Sequence, residues 1–274
     1  MFIHVSLYHH ARRTSTDSLK FWNIVLTFAS IRIKTPFMKK KLPILLAPII
    51  ALFASACLCQ SNESASCPQA TQAPVKDACA PKRLFDADLG NADYNKSVWS
   101  VDKDGVMRAT KDEIIFTKRD YKNFELELEF RIEKESNSGV VIYCSDTKNW
   151  IPNSIEIQIA DSSSRAFGKP YWNCACIFGL VNSEFDTRLS YGQWHKMKIR
   201  AVGQKIDVWL NGRHASSMDM SKWTDNDKNP DGSTILPWLR ARKKAELPTV
   251  GKIGFQGKHG GASTDFRNIF IKEL

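Results

Sequence analysis

Helical periodicity is nearly absent from this chain, apart from a short stretch at residues 238–245. That excludes a helical bundle and a parallel α/β sheet, which both need helices of ten residues or more. No apolar run reaches the roughly 20 residues a stable membrane-spanning helix needs. No Cys or His pairs recur with zinc-site spacing, and there is no internal repeat. Excess charge of one sign is also missing from most of the chain. The formal net charge is +10, but residues 1–56 hold eight Lys or Arg and one Asp. The remainder carries 31 basic and 28 acidic side chains, a net of +3. There is no clustered basic footprint, so nucleic acid is not an expected partner.

What is present begins with a leader. Met38 is followed by three lysines, an apolar run from Leu42 and the small-residue exit Ala54-Ser55-Ala56. A basic region, an apolar region and a small-residue exit make a secretory signal at 38–56. Met38 is a natural start, which makes residues 1–37 an upstream extension; the alternative is a true N-terminal region with a helix across 21–31. Cys57 follows the exit directly. Lipidation of Cys57, tethering the protein to a membrane, and ordinary cleavage after Ala56 both fit. Either reading puts the protein outside the cytoplasm, in the periplasm or cell envelope. Residues 57–81, rich in Ser, Ala, Gln and Pro, read as a flexible tether. The folded domain is expected over 82–274.

Seven cysteines suit an oxidising compartment. Three fall in the domain: Cys144, Cys174 and Cys176. Either a disulfide joins Cys144 to one of the other two, or all three are buried thiols.

Strand signals fill the domain. In Phe124-Glu125-Leu126-Glu127-Leu128-Glu129-Phe130 apolar and charged residues alternate, so one face is buried and the other wet. Residues 154–159 alternate in the same way, and 140–143 form a short continuous apolar run. Residues 194–199 and 206–210 read as a hairpin ending in the Asn211-Gly212 turn, with Trp194 expected in the core. About nine short strands with turn signals between them imply an all-β antiparallel sandwich or jelly roll.

The ordered set Leu84-Phe85-Asp86, Phe124 to Phe130, Asn137-Ser138-Gly139-Val140, Ile155 to Ile159, Trp194, Val208 to Gly212, Ile253-Gly254-Phe255-Gln256 and Phe266-Arg267-Asn268-Ile269 resembles the 3-keto-disaccharide hydrolase family. The resemblance covers essentially all of 82–274. It implies a concanavalin A-like lectin/glucanase fold and an extracytoplasmic sugar-processing enzyme whose small saccharide substrate lies on the concave face of a sheet beneath long loops. It departs from the family where relatives carry an Arg and this chain has Tyr143-Cys144.

The chemistry follows from side-chain direction. Glu156 and Gln158 leave one face of their strand while Ile155, Ile157 and Ile159 take the other. A carboxylate to move a proton beside an amide to bond a hydroxyl suits a sugar; a solvated polar face without a role is the competing reading. Lys258 and His259 sit among Gly257, Gly260 and Gly261 just past a strand end, and His is readily poised for proton transfer near neutral pH. Glu156, His259 and Lys258 are therefore the catalytic candidates. Gln158, Gln256, Asn137, Tyr143, Trp150 and Trp172 are the substrate-binding candidates, with Tyr171 a further aromatic in a long loop.

A two-carboxylate glycosidase needs a partner for Glu156, and only Asp146 and Asp161 offer one. A 3-keto sugar opens another route: the ketone acidifies the C2 proton, and its loss expels the C1 substituent. Glu156 or His259 then serves as base, with Lys258 or a metal on the ketone oxygen. A non-catalytic carbohydrate-binding module is the alternative function. No cofactor is required by the sequence. The acidic loop Asp225-Asn226-Asp227 with Asn229 and Asp231 would suit a divalent cation such as calcium, although such clusters are commonly turns.

Overall fold

The computed structural model describes residues 80–166 and 168–274. The leader at 38–56, Cys57 and nearly all of the tether lie outside the described residues.

Thirteen strands occur among them. They are β1 (Lys82–Arg83), β2 (Ala92–Asp93), β3 (Trp99–Val101), β4 (Met107–Ala109), β5 (Ile114–Thr117), β6 (Phe124–Ile132), β7 (Asn137–Cys144), β8 (Ile155–Ala160), β9 (Trp194–Val202), β10 (Lys205–Leu210), β11 (Arg213–Asp219), β12 (Lys252–Gln256) and β13 (Thr264–Glu273). The extra strands beyond the expected nine are β1, β2 and β3, too brief to show a period, and the seven-residue β11, which continues the hairpin past the Asn211-Gly212 turn. Among the described residues helix is confined to three 3-10 turns, at Met220–Lys222, Pro237–Leu239 and Lys244–Glu246.

The strands form an antiparallel sandwich. One sheet runs β11-β10-β9-β6-β13-β4-β3 with β1 added to β13, and the other runs β2-β5-β12-β7-β8. Alternation explains the packing. Phe124, Leu126, Leu128, Phe130 and Ile132 from the large sheet face Val140, Ile142, Ile155, Ile157, Ile159, Ile253 and Phe255 from the small one. Phe255 stands edge-on to Phe85 and Phe266, with centroids 5.6 and 5.1 Å away. Burying each such side chain is worth about 1.5–3 kcal/mol. At the Asn211-Gly212 turn between β10 and β11 both residues have positive φ, 50° and 81°. That is the turn geometry whose twist matches paired strands.

Two expectations fail here. Tyr143 does not face the saccharide side. The β7–β12 register slips between Lys252 and Gly254, and Tyr143 has φ 56°. This bulge resets the alternation. The ring turns into the core beside Phe124, and its hydroxyl donates to the Gly203 carbonyl at 3.0 Å. Trp194 is not a core residue: it is half-buried, with the Arg131 and Arg267 guanidinium groups 4.7 and 4.0 Å from its ring. Of the two readings of the domain cysteines the buried thiols hold: Cys144, Cys174 and Cys176 are free and buried. Cys144 belongs to a small cluster with Phe116 and Val141, separate from the main core that holds Cys174.

The acidic loop is built as turns. Asp225 accepts from the backbone N–H groups of Asp227 and Lys228, Asp231 from Ser233 and Tyr171, and Asn229 from the Trp223 indole.

Candidate functional site

With the isoleucines of β8 committed to the core, Glu156 and Gln158 emerge on the outer face of the small sheet. Its neighbours β7 and β12 deliver Asn137, Gly139, Val141 and Gln256 to the same face, because Val140, Ile142, Ile253 and Phe255 point inward. The segment after the loop, residues 175–178, hydrogen-bonds along the free edge of β8. Ala175 N–H donates to the Gln158 carbonyl, and Phe178 N–H donates to that of Glu156.

A cleft of about 320 Å³ opens over this face. Its polar floor is Glu156, Gln158, Asn137 and Gln256, with His259 at one side. Its walls are aromatic: Trp150 and Ile151 from one loop, Trp172 and Phe178 from another, Trp238 from a third. Trp172 lies 5.4 Å from Phe178 and 6.4 Å, edge-on, from Trp238. Trp238 is 47 % exposed. An aromatic rim over a polar floor is the form of a small-ligand site.

Glu156 is the unusual member. Burial alone pushes its carboxyl up to about 8. No hydrogen bond or ion pair to that carboxyl is found among the described residues, and a buried carboxylate without a partner favours its protonated form. The side chain lies across Gly139 of the neighbouring strand. A Cβ on Gly139 would stand 2.9 Å from Glu156 Cγ, so the bare glycine makes the room. Gln158 is oriented: its Nε2 donates to Asn137 Oδ1 at 3.0 Å. The His259 N–H donates to the Asn137 carbonyl at 3.2 Å, and its Nδ1 lies 2.6 Å from Asp112 Oδ2.

The structure thus brings together seven of the expected residues: Glu156, His259, Gln158, Gln256, Asn137, Trp150 and Trp172. Lys258 is not among them. Its side chain is exposed and does not line the cleft; it lies past the end of β12, where its backbone N–H donates to the Lys111 carbonyl. Tyr143 is absent for the reason given above. Tyr171 borders a different hollow, hydrogen-bonded to Asp231 at 2.6 Å. Neither acid considered as a partner for Glu156 reaches it. Asp146 caps the N–H groups of Lys148 and Asn149, and Asp161 takes those of Glu135 and Ser163. Among the described residues Glu156 is the only carboxylate lining the cleft. Among the described residues no group of three or more His, Cys, Asp or Glu is placed to hold a metal ion.

Sequence reasoning missed Trp238, Phe178, Ile151 and the role of Gly139. The glycine stood inside the quoted Asn137-Ser138-Gly139 motif. For Trp238 the only signal was an aromatic directly after Pro237 in the apolar stretch Ile235-Leu236-Pro237-Trp238-Leu239.

Residues 80–272 match the 3-keto-alpha-glucoside-1,2-lyase-like domain. A candidate glycosyl hydrolase from Parabacteroides distasonis ATCC 8503 is 52% identical, with a TM-score of 0.69, over 71% of this chain and 100% of that one. A second candidate glycosyl hydrolase from the same organism is 21% identical with a TM-score of 0.56, over 71% of this chain and 94% of that one, and shares the fold. Among curated proteins there is no match. The chain belongs to the family of 3-keto-alpha-glucoside-1,2-lyase-like domains.

Proposed function

We propose that the cleft breaks the glycosidic bond of 3-keto glycosides by elimination across C1 and C2. The observation that carries this reading is the lone Glu156 carboxyl, lifted to about 8 by burial and left without a partner on the cleft floor. Hydrolysis of an ordinary glycoside uses two carboxyl groups roughly 5–10 Å apart. This cleft offers one. A 3-keto sugar needs no second: its C2 proton is acidic, and the C1 oxygen leaves once that proton is gone.

Near neutral pH a carboxyl with this affinity carries its proton, which makes Glu156 a donor to the departing oxygen. The amide groups of Asn137 and Gln256 supply N–H donors for the charge that builds on the ketone oxygen. The aromatic walls stack on the apolar faces of the sugar and of the group that leaves. The products are a 1,2-unsaturated keto sugar, which water converts to the free 3-keto sugar, and the released alcohol. The leader at 38–56 supports an extracytoplasmic site of action, with Cys57 as the residue that would carry a lipid.

The test is product analysis with a panel of 3-keto glucosides beside their unoxidised parents. Release of alcohol from the keto members alone is expected, with kcat/KM falling as pH rises through about 8, where Glu156 loses its proton. Equal cleavage of keto and parent glycosides overturns the reading. Binding without product favours a carbohydrate-binding module instead. A kcat/KM that rises through the same pH makes Glu156 a base and removes it as the donor.

A further inference from the structure

Elimination needs a base for the C2 proton, and the cleft holds one further proton-handling group, His259. How that ring is held depends on Gly257. A Cβ on Gly257 would meet the carbonyl oxygens of Lys111 and Glu113, both at 2.5 Å. Those are backbone atoms that cannot swing aside. Glycine alone lets the segment 111–113 lie against the end of β12. Gly257 N–H donates to the Glu113 carbonyl at 2.9 Å, and Lys258 N–H to that of Lys111 at 3.1 Å. The residue between those carbonyls is Asp112, and its carboxylate meets His259 Nδ1 at 2.6 Å.

Both side chains of this pair are about half exposed, 47% for His259 and 51% for Asp112. An ion pair so exposed adds about 0–1 kcal/mol to folding. Its consequence is chemical. A carboxylate accepts at Nδ1, so Nδ1 carries the ring proton and Nε2 keeps its lone pair. Among the described residues Nε2 has no hydrogen-bond partner, and the ring lines the cleft.

Resting on the elimination reading above, we propose that Asp112 is a positioning residue that sets His259 as the base for the C2 proton. His259 Nε2 takes that proton. The C–H electron pair becomes the C1=C2 bond while the C1–O bond breaks. The departing oxygen takes the proton of Glu156. Nothing is oxidised or reduced, and exchange with water restores the imidazole and the carboxyl.

Asp112→Asn and Asp112→Ala test the role in the full domain, with a 3-keto glucoside as probe. Turnover should fall roughly ten- to a thousandfold in kcat, with KM nearly unchanged, because ring orientation and tautomer are lost but no substrate contact is. The melting temperature should hold. Imidazole nitrogen-15 spectra should show Nδ1 protonated and Nε2 bare in the parent protein, and a mixture of tautomers in both variants. Full kcat in Asp112→Ala, or Nε2 protonated in the neutral parent ring, overturns the proposal. Loss of turnover in Glu156→Gln with full activity in Asp112→Ala overturns this inference alone. A parent protein inert toward the probe overturns the elimination reading; the nitrogen spectra then decide whether Asp112 sets the tautomer.

Discussion

Glu129 and Glu156 occupy the same kind of position in sequence, a glutamate alternating with apolar residues along a strand, yet the two outer faces of the sandwich treat them oppositely. On the large sheet Glu129 accepts from Arg267 Nε at 2.7 Å and Asn268 Nδ2 at 3.1 Å. Burial works to raise its carboxyl, but the Arg267 and Asn268 hydrogen bonds and the charges of Arg267 and Lys196 outweigh it, so Glu129 is held below the usual range. Its neighbours are matched likewise: Glu125 with Lys198 and Arg200, and Asp265 with Arg108 and Arg131. On the small sheet Glu156 is half-buried with no cation beside it, and burial raises its carboxyl to about 8. A hollow larger than the cleft, about 520 Å³, lies on the paired face beside Glu127, Lys198 and Trp209. Size is therefore a poor guide to chemistry here. The smaller cleft holds the carboxyl whose proton is unspoken for, and such perturbed groups gather at functional sites.

The contrast breaks most sharply at Glu156→Gln. Turnover of a 3-keto glucoside should fall by roughly 10²–10⁴-fold, the range of a lost proton-transfer group. The fold should be retained. The sign of the stability effect also follows. A carboxyl whose folded affinity for protons is raised favours folding fully below its ordinary 4.5, and that stability is lost as pH rises towards about 8. The Gln variant lacks this loss, so its melting temperature should gain on the parent across that window. A variant that loses ground there instead has a charged, stabilised Glu156.

Gly139→Ala should cost less, roughly a hundredfold, by displacing the carboxyl without removing it. The clash is with the mobile end of a side chain, so melting should change little. Unchanged kcat would mean that the carboxyl's place on the floor does not matter. Glu129→Gln sharpens the other half of the comparison. It should leave turnover alone and lower stability at neutral pH by about 1 kcal/mol. That cost should shrink as the pH falls below the ordinary 4.5 and through the depressed folded value, where the parent Glu129 also takes up a proton.

Much of this arrangement could be read along the chain. Period two sent Glu156 and Gln158 away from Ile155, Ile157 and Ile159, and the same rule delivered Gln256. It failed at Tyr143, where a bulge adds a residue and reverses the parity of everything after it; nothing local to Val140-Val141-Ile142-Tyr143 announces that slip. At Trp194 the rule held and the core assignment failed: the ring shares the outward face of Lys196 and Lys198 and lies between two arginines brought from β6 and β13. Asp112 could not be paired with His259 across 147 residues, because only the close approach at Gly257 joins them.

Alternation and turn chemistry, which are local, determined from sequence alone that this is an antiparallel sandwich and which face of each strand is wet. Whether a wet-face acid meets an arginine or stands alone depends on which strands become neighbours, and that is decided only when distant segments pack. Ion pairing, desolvation and the approach of one backbone to another are properties of those long-range contacts, so the chemistry of the cleft appears only in the folded molecule.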